Sequence, residues 1–363
     1  MRLGEVAREA WRDVVTGAGW AATGALVLAV LVGGVVGLRA VALAADVRGA
    51  ADYLASGAAT TVQRAEGRID GRACDALAAS EGVRAAGAVR RLEEGTVPAA
   101  LPGSAVPTYE VTAGFPAVVG SAAGATGSVG VVLSPSVQES LGLAPGDTLV
   151  TAAGTSVGPG PPVAGVYPYP DDGRDPDLEY ALLAPTPDDG RAFDACWATV
   201  WPQREDTLAA LRRTVLPGTG ADDEARPTVG QLNPRAGATF TPAAADPVTA
   251  SLGAALAAGV AVGAASVGRR RLSLASDLHV GVPRSAQVLG LVLQHGLWGA
   301  VGSCVAVAVG VVAVRGLGPA DAVPIVVEAV GIAAMGLVGV LVGGAVAAAL
   351  VRERSLHRYF RAR

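Results

Sequence analysis

The sequence predicts an α-helical membrane protein in which a large α/β or α+β extracytoplasmic domain is inserted between the first and second of four transmembrane helices. Three observations carry that fold class. The 363 residues are 51% hydrophobic and only 4% aromatic, with a mean hydropathy of +0.43, high for a soluble chain. Four uncharged runs are each long enough to cross a hydrocarbon core of about 30 Å. Charge is sorted by region: Ala40 to Pro247 carries 14 Arg against 25 acids, a net −11, and the remainder 14 Arg against 7, a net +7, which the overall −4 conceals. Lysine is absent, so every basic residue is arginine. The acidic part is expected outside the membrane and the basic part on its cytoplasmic face.

Residues 1–13 carry Arg2, Arg8 and Arg12 between Leu3, Val6, Ala10 and Trp11, the pattern of a short amphipathic helix in the inner interface with Trp11 as anchor. The first span, 14–39, holds 25 uncharged residues between Asp13 and Arg39, about 37 Å of helix. Ala42-Leu43-Ala44 resembles a signal-peptidase site, but the apolar run is longer than the roughly 7–15 residues of a cleaved signal, so an uncleaved anchor is expected.

Residues 40–246 form the extracytoplasmic domain. Ala40 to Arg64 has few breakers and can prolong the first span as a stalk. Thr60–Arg64 and Val83–Leu92 read as strands around a helical Asp70–Ser80, in which Cys74, Leu77 and Ala78 share a face. Val111–Leu133 and Gly142–Val166 show short Val/Thr runs broken by Gly and Pro, while Asp171–Asp177 and Gly218–Asp223 read as loops. This length suffices for one or two lobes.

Three more spans follow: 247–268, 286–314 and 322–351. They are built on uncharged runs of 22, 30 and 23 residues. The outer link 315–321 is short, and the tail 352–363 is basic. Small residues recur at helix-packing spacing in Gly33 and Gly37, Gly259 and Gly263, and Gly339 and Gly343, where close backbone approach replaces hydrophobic association. Between spans 2 and 3 lies a hairpin, 269–285. Arg269, Arg270 and Arg271 hold it cytoplasmic. Its Leu272, Leu274, Leu278, Val280 and Val282 are too regular for a solvated connector. Read as a short helix over Ser273–Val280, it sets Leu274 and Leu278 at i, i+4 spacing, and Gly281 and Pro283 stop it before Arg284.

With its order of spans and its RRRLSLASDLHVGVPRSAQVLGLVLQHGLWG hairpin, the chain resembles the FtsX/MacB-type ABC transporter permease family. Arg269–Arg271, Leu274, Ala275, Gly281 and Val288–Leu293 fit the family's basic cluster, turn and third span. LSPSVQESLGLAPGDTL followed by AGV, within Val132–Val166, is similar to part of its external domain. The resemblance implies a non-catalytic permease subunit working as a homodimer or heterodimer with a cytoplasmic ABC ATPase. It implies mechanotransmission: ATP-driven movement of the hairpin changes the shape of the external domain, serving export or extraction of peptide, lipoprotein or drug, or control of a cell-wall hydrolase. The hairpin residues above are then the coupling face. Ser273, Asp277 and Gln294 depart from the family pattern, which usually carries an acid, an Arg and a Glu there.

Other chemistry finds little support. A standard P-loop needs a lysine to reach the phosphates, so ATP is expected on a partner chain. His279, His295 and His357 are scattered without metal-ligand spacing, and the Asp171–Asp177 acids lack EF-hand spacing. No cofactor, metal or nucleic-acid partner is expected. The expected partners are the ATPase, a second permease subunit, membrane lipid and an extracytoplasmic protein. Cys74 and Cys196 both fall in the external domain, where an isolated pair forms a disulfide. Cys304 lies within a span. Gln294 and His295 are expected to hydrogen-bond between helices, and Glu328 to lie near the outer interface. The chain is expected in the cell membrane with both termini cytoplasmic. The alternative function is a membrane-anchored receptor or scaffold with no ATPase. An enzyme is disfavoured for want of catalytic groups.

Overall fold

Four helices of 30 to 35 residues, all apolar enough to cross a membrane, dominate the computed structural model. It describes residues 4, 8, 11–13, 15, 16, 20–121, 129–152, 157, 160–187, 189–204, 206–218, 226–244 and 246–352. The expected amphipathic helix at 1–13, most of the Gly218–Asp223 loop, His357 and nearly all of the basic tail lie outside the described residues. The chain divides into two compact units, Met1–Gly49 with Pro242–Arg363, and Ala50–Thr241.

α1 (Ala21–Ala55) belongs to the first unit as far as Gly49 and to the second from Ala50, and after the second unit come the three remaining long helices. In chain order, α2 (Gly71–Ala76), α3 (Phe115–Val118), α4 (Pro135–Leu141) and α5 (Thr207–Arg212) belong to the second unit, and α6 (Val248–His279), α7 (Arg284–Ala313) and α8 (Pro319–Leu350) to the first. Val30, Leu38, Val301, Val312, Val327 and Val346 stay exposed on the long helices, as expected where lipid is the solvent. Inward, Leu28, Val32, Val36, Trp298, Ala306, Ile332 and Val340 form one cluster.

The second unit is built on one eight-stranded mixed sheet. Its strands are β1 (Thr60–Ile69), β2 (Val83–Arg91), β3 (Thr108–Val111), β4 (Val131–Leu133), β5 (Val163–Val166), β6 (Leu182–Pro185), β7 (Phe193–Val200) and β8 (Thr228–Gln231), in the order β5-β4-β6-β3-β2-β7-β1-β8. The pairs β3–β6 and β4–β5 are parallel and the rest antiparallel. Strand alternation sorts the core. Val89, Ala195 and Trp197 face one side with Val62, Tyr109 and Phe115. Ala86, Ala88, Cys196, Ala198 and Val200 face the other with Cys74 and Leu211. Gly87 is required where Phe115 crosses the sheet, because a Cβ there would stand 2.3 Å from the Phe115 backbone nitrogen.

Three local readings need correction. Asp70–Ser80 is not one helix: Asp70 caps α2 by accepting from the Arg72 and Ala73 N–H groups, and Leu77–Ala79 then tightens into a 3-10 turn. That change of pitch leaves Ala78 exposed, off the buried face of Cys74. The stalk is helical only to Ala55, since Thr60 already begins β1. The hairpin holds no separate short helix, because α6 runs unbroken from Val248 through the three arginines to His279. Nothing between Gly268 and Val280 breaks a helix, so it continues until Gly281.

Candidate functional site

The hairpin ends in a Schellman motif. Gly281 takes φ +92°, its N–H bonds to the Leu278 carbonyl, and the Val282 N–H bonds to that of Asp277. Those two bonds satisfy carbonyls the helix would leave bare, and Pro283 then caps α7. The predicted coupling residues divide at this turn. Leu274 is only 6% exposed, packed with Val267, Ala275, Leu291 and Val351, with Leu278 against the same cluster. Leu272 and Val282 are half-buried, Gly281, Pro283 and Arg284 exposed, and Val280 is 80% exposed. The i, i+4 pair therefore faces inward and fastens α6 to α7, leaving Val280 and Pro283 as the outward apolar side chains of the predicted face.

Polar side chains brace the helices just above this turn. The Arg270 guanidinium donates to Gln294 Oε1 at 2.6 Å and to Asp13 Oδ2 at 2.7 Å, and Gln294 Nε2 donates to the same Asp13 oxygen at 3.0 Å. His295 Nδ1 lies 2.6 Å from the Leu291 carbonyl oxygen, and Nε2 hydrogen-bonds Ser266 Oγ. Arg269 stacks over the Trp20 ring at 5.0 Å. Two of the three arginines are thus fixed to other parts of the unit. Sequence alone gave them only a topological role, because Asp13 and Trp20 lie some 250 residues away.

At the other end of α1, Arg39 donates to Glu328 Oε1 at 2.7 Å and to the Ala244 and Asp246 carbonyls at 3.1 and 2.8 Å. Asp46 accepts from the Ala243 and Ala244 N–H groups at 2.7 and 2.9 Å. Glu328 is accordingly a partner in an interhelical ion pair. The glycine pairs also separate: a Cβ at Gly259 or Gly263 would lie 2.1–2.2 Å from α8 carbonyl oxygens, and one at Gly339 or Gly343 2.3 Å from α6 carbonyl oxygens. These four make one backbone-to-backbone seam. Gly33 and Gly37 meet only Ala306 and Val309 of α7, at 3.6 and 3.0 Å.

In the sheet unit, Cys74 of α2 and Cys196 of β7 are joined by a disulfide, while Cys304 is free and exposed. Arg90 is buried and pairs with Glu110 and Asp189, and Arg191 also reaches both acids. The guanidinium of Arg90, then that of Arg191, holds the Asp189 carboxyl well below its ordinary value of 3.8. Burial pushes the Asp75 carboxyl up, opposed by the hydroxyl of Thr112. Among the described residues no group of three or more His, Cys, Asp or Glu side chains could hold a metal ion. Of the Asp171–Asp177 acids, Asp172 is engaged by Arg174 and Asp175 by Arg64.

No protein-family model matches the chain, and no curated protein matches it. Among solved structures, the periplasmic region of MacB from Actinobacillus actinomycetemcomitans matches with 12% identity and a TM-score of 0.34, over 50% of this chain and 92% of that one. So loose an overlap assigns neither fold nor activity.

Proposed function

We propose that this chain is the permease, or mechanotransmission, subunit of an ABC-type membrane complex in the manner of the FtsX/MacB family. ATP is hydrolysed by a separate cytoplasmic chain. A second permease subunit completes the membrane part, both termini are cytoplasmic, and the Ala50–Thr241 unit works on the far side of the bilayer on a peptide, lipoprotein, drug or cell-wall hydrolase.

The observation that carries this reading is the unbroken α6. Its 32 residues, about 48 Å at 1.5 Å per residue, run from the outer bracing at Asp246 to the hairpin turn. Force applied at Val280 reaches the opposite end without a joint to absorb it. The Gly259–Gly263 seam couples the rod to α8, and Arg270 couples it to α7. The chain supplies rods and braces, and the partner supplies the energy.

The burial of Leu274 decides how to test this. Leu274→Asp would break the α6–α7 packing itself, whereas Val280→Asp alters only the tip. Co-purification of an ATPase with the parent chain and its loss with Val280→Asp, at unchanged membrane yield, is the expected outcome. The second reading, a membrane-anchored receptor or scaffold, draws on the same burial, since a hairpin packed on itself also serves as a plain connector. No ATPase with either chain favours it, whereas undiminished co-purification with Val280→Asp shows that the ATPase is not held through the tip.

A further inference from the structure

Between α1 and α6, at the end that carries the three arginines, lies a groove of about 250 Å³. Each helix lines it with one stripe. Ala261, Ala265 and Arg269 stand four residues apart on α6, and Gly24 and Val27 lie on α1 with Trp20 just before it. That spacing sets side chains one above another on a helix face. Ala261, Ala265 and Val27 are exposed, so the groove is open along its length. At one end Arg269, also exposed, stacks on the Trp20 ring at 5.0 Å. Stacking occupies the face of a guanidinium and leaves its N–H edge to bond elsewhere.

Among the described residues no acid meets that edge. Asp13 is taken by Arg270 and Gln294, and Glu328 is held by Arg39 near the opposite end of α1. Asp277 stands eight residues further along α6, about 12 Å of helix. The groove thus ends in a cation that lacks a counter-anion among the described residues, and the two features together select the occupant. On helices apolar enough to cross a membrane, an open groove is filled by an acyl chain, because lipid is the solvent there. The arginine decides which lipid. A zwitterionic headgroup brings its own cation to its phosphate, and a second copy of this chain has no spare acid at this level among its described residues. An anionic headgroup supplies both parts, the chain for the groove and the charge for Arg269. Basic pockets between spanning helices hold such headgroups, and tryptophan rings settle at the same depth.

We propose that this groove binds one anionic phospholipid, its phosphate accepting from the Arg269 guanidinium beside Trp20 and one acyl chain lying along Ala265, Ala261 and Val27. The proposal rests on the membrane reading of the four long helices and needs no ATPase.

The test is native mass spectrometry of the full chain released from detergent micelles and titrated with dioleoyl-phosphatidylglycerol, with dioleoyl-phosphatidylcholine and inorganic phosphate for comparison. One phosphatidylglycerol per chain, held at least about fivefold tighter than phosphatidylcholine, is expected. Arg269→Gln should lose about fivefold, the weight of one arginine at a lipid surface. Arg352→Gln removes an equal charge from an exposed residue outside the groove and should bind as the parent does. Ala265→Phe keeps the guanidinium but fills the groove, and should weaken retention at least about tenfold. An unchanged unfolding midpoint in detergent shows that each variant is folded. The proposal is overturned if phosphatidylcholine is held as tightly, if inorganic phosphate displaces the lipid, or if folded Arg269→Gln binds no worse than Arg352→Gln. It is overturned equally if the parent is a lipid-free dimer that Ala265→Phe splits, which would give the groove to a second copy. Any of these results leaves the ATPase test of the permease reading untouched.

Discussion

A Cβ placed on Gly263 would stand 2.2 Å from the Val340 carbonyl oxygen, whereas one on Gly33 would stand 3.6 Å from Ala306. The first obstacle is backbone, so α6 and α8 must part to admit it. The second is ordinary van der Waals contact. Gly263→Ala should therefore destabilise the membrane unit by roughly 1–3 kcal/mol, the usual cost of overpacking, and Gly33→Ala should be close to neutral, as read by thermal unfolding in detergent. Both residues belong to Gly-x-x-x-Gly pairs of identical appearance, because spacing marks a face without naming what lies opposite. A second residue-level prediction concerns acid. Asp189 is held below its ordinary value by Arg90 and Arg191, so its ion pairs stabilise the folded state above about pH 4, and that contribution fades as pH falls below 3.8 through the lower folded value. Asp189→Asn should lower the unfolding midpoint at pH 7, and the gap to the parent should close in strong acid. A gap that persists unchanged there would show that the loss has another origin.

Elements show where sequence reasoning holds and where it stops. Gly281 and Pro283 end α6 and begin α7, and Asp70 begins its helix, because backbone preferences act locally and can be read from a few residues. The orientation of Leu274 and Leu278 could not be read that way. Periodicity identifies an apolar stripe, and the cover it meets, here Leu291 and Val351, is a tertiary fact. The sheet behaves similarly. β1 and β2 are long enough to announce themselves, whereas β7 went unread and β4, β5 and β6 have three or four residues each and depend on partners distant in sequence. A cavity bordered by Val89, Ala195 and Trp197 was hidden for the same reason, since its lining is drawn from positions 64 to 228. Val280, by contrast, is a tip residue whose test remains purely local.

For the whole molecule, run length made the order of the four long apolar helices legible, and charge sorting bears a direct prediction. A reporter inserted at Gly103, whose surroundings are open, and another fused after Arg352 should report opposite sides of the membrane. The same side at both would rule out the four-span arrangement. The sheet adds something that charge does not reveal. The chain enters the Ala50–Thr241 unit through β1 and leaves through β8, and these two strands lie side by side, with Thr61 opposite Gln231 and Arg64 opposite Thr228. Nearly 170 residues of fold are thus strung between two points a single strand spacing apart, about 4.8 Å. To the helices on either side, the whole domain is equivalent to a tight loop. A different cassette with neighbouring termini could take its place with α6 unaltered and only the Ala50–Ala55 end of α1, which already belongs to that unit, exchanged along with it.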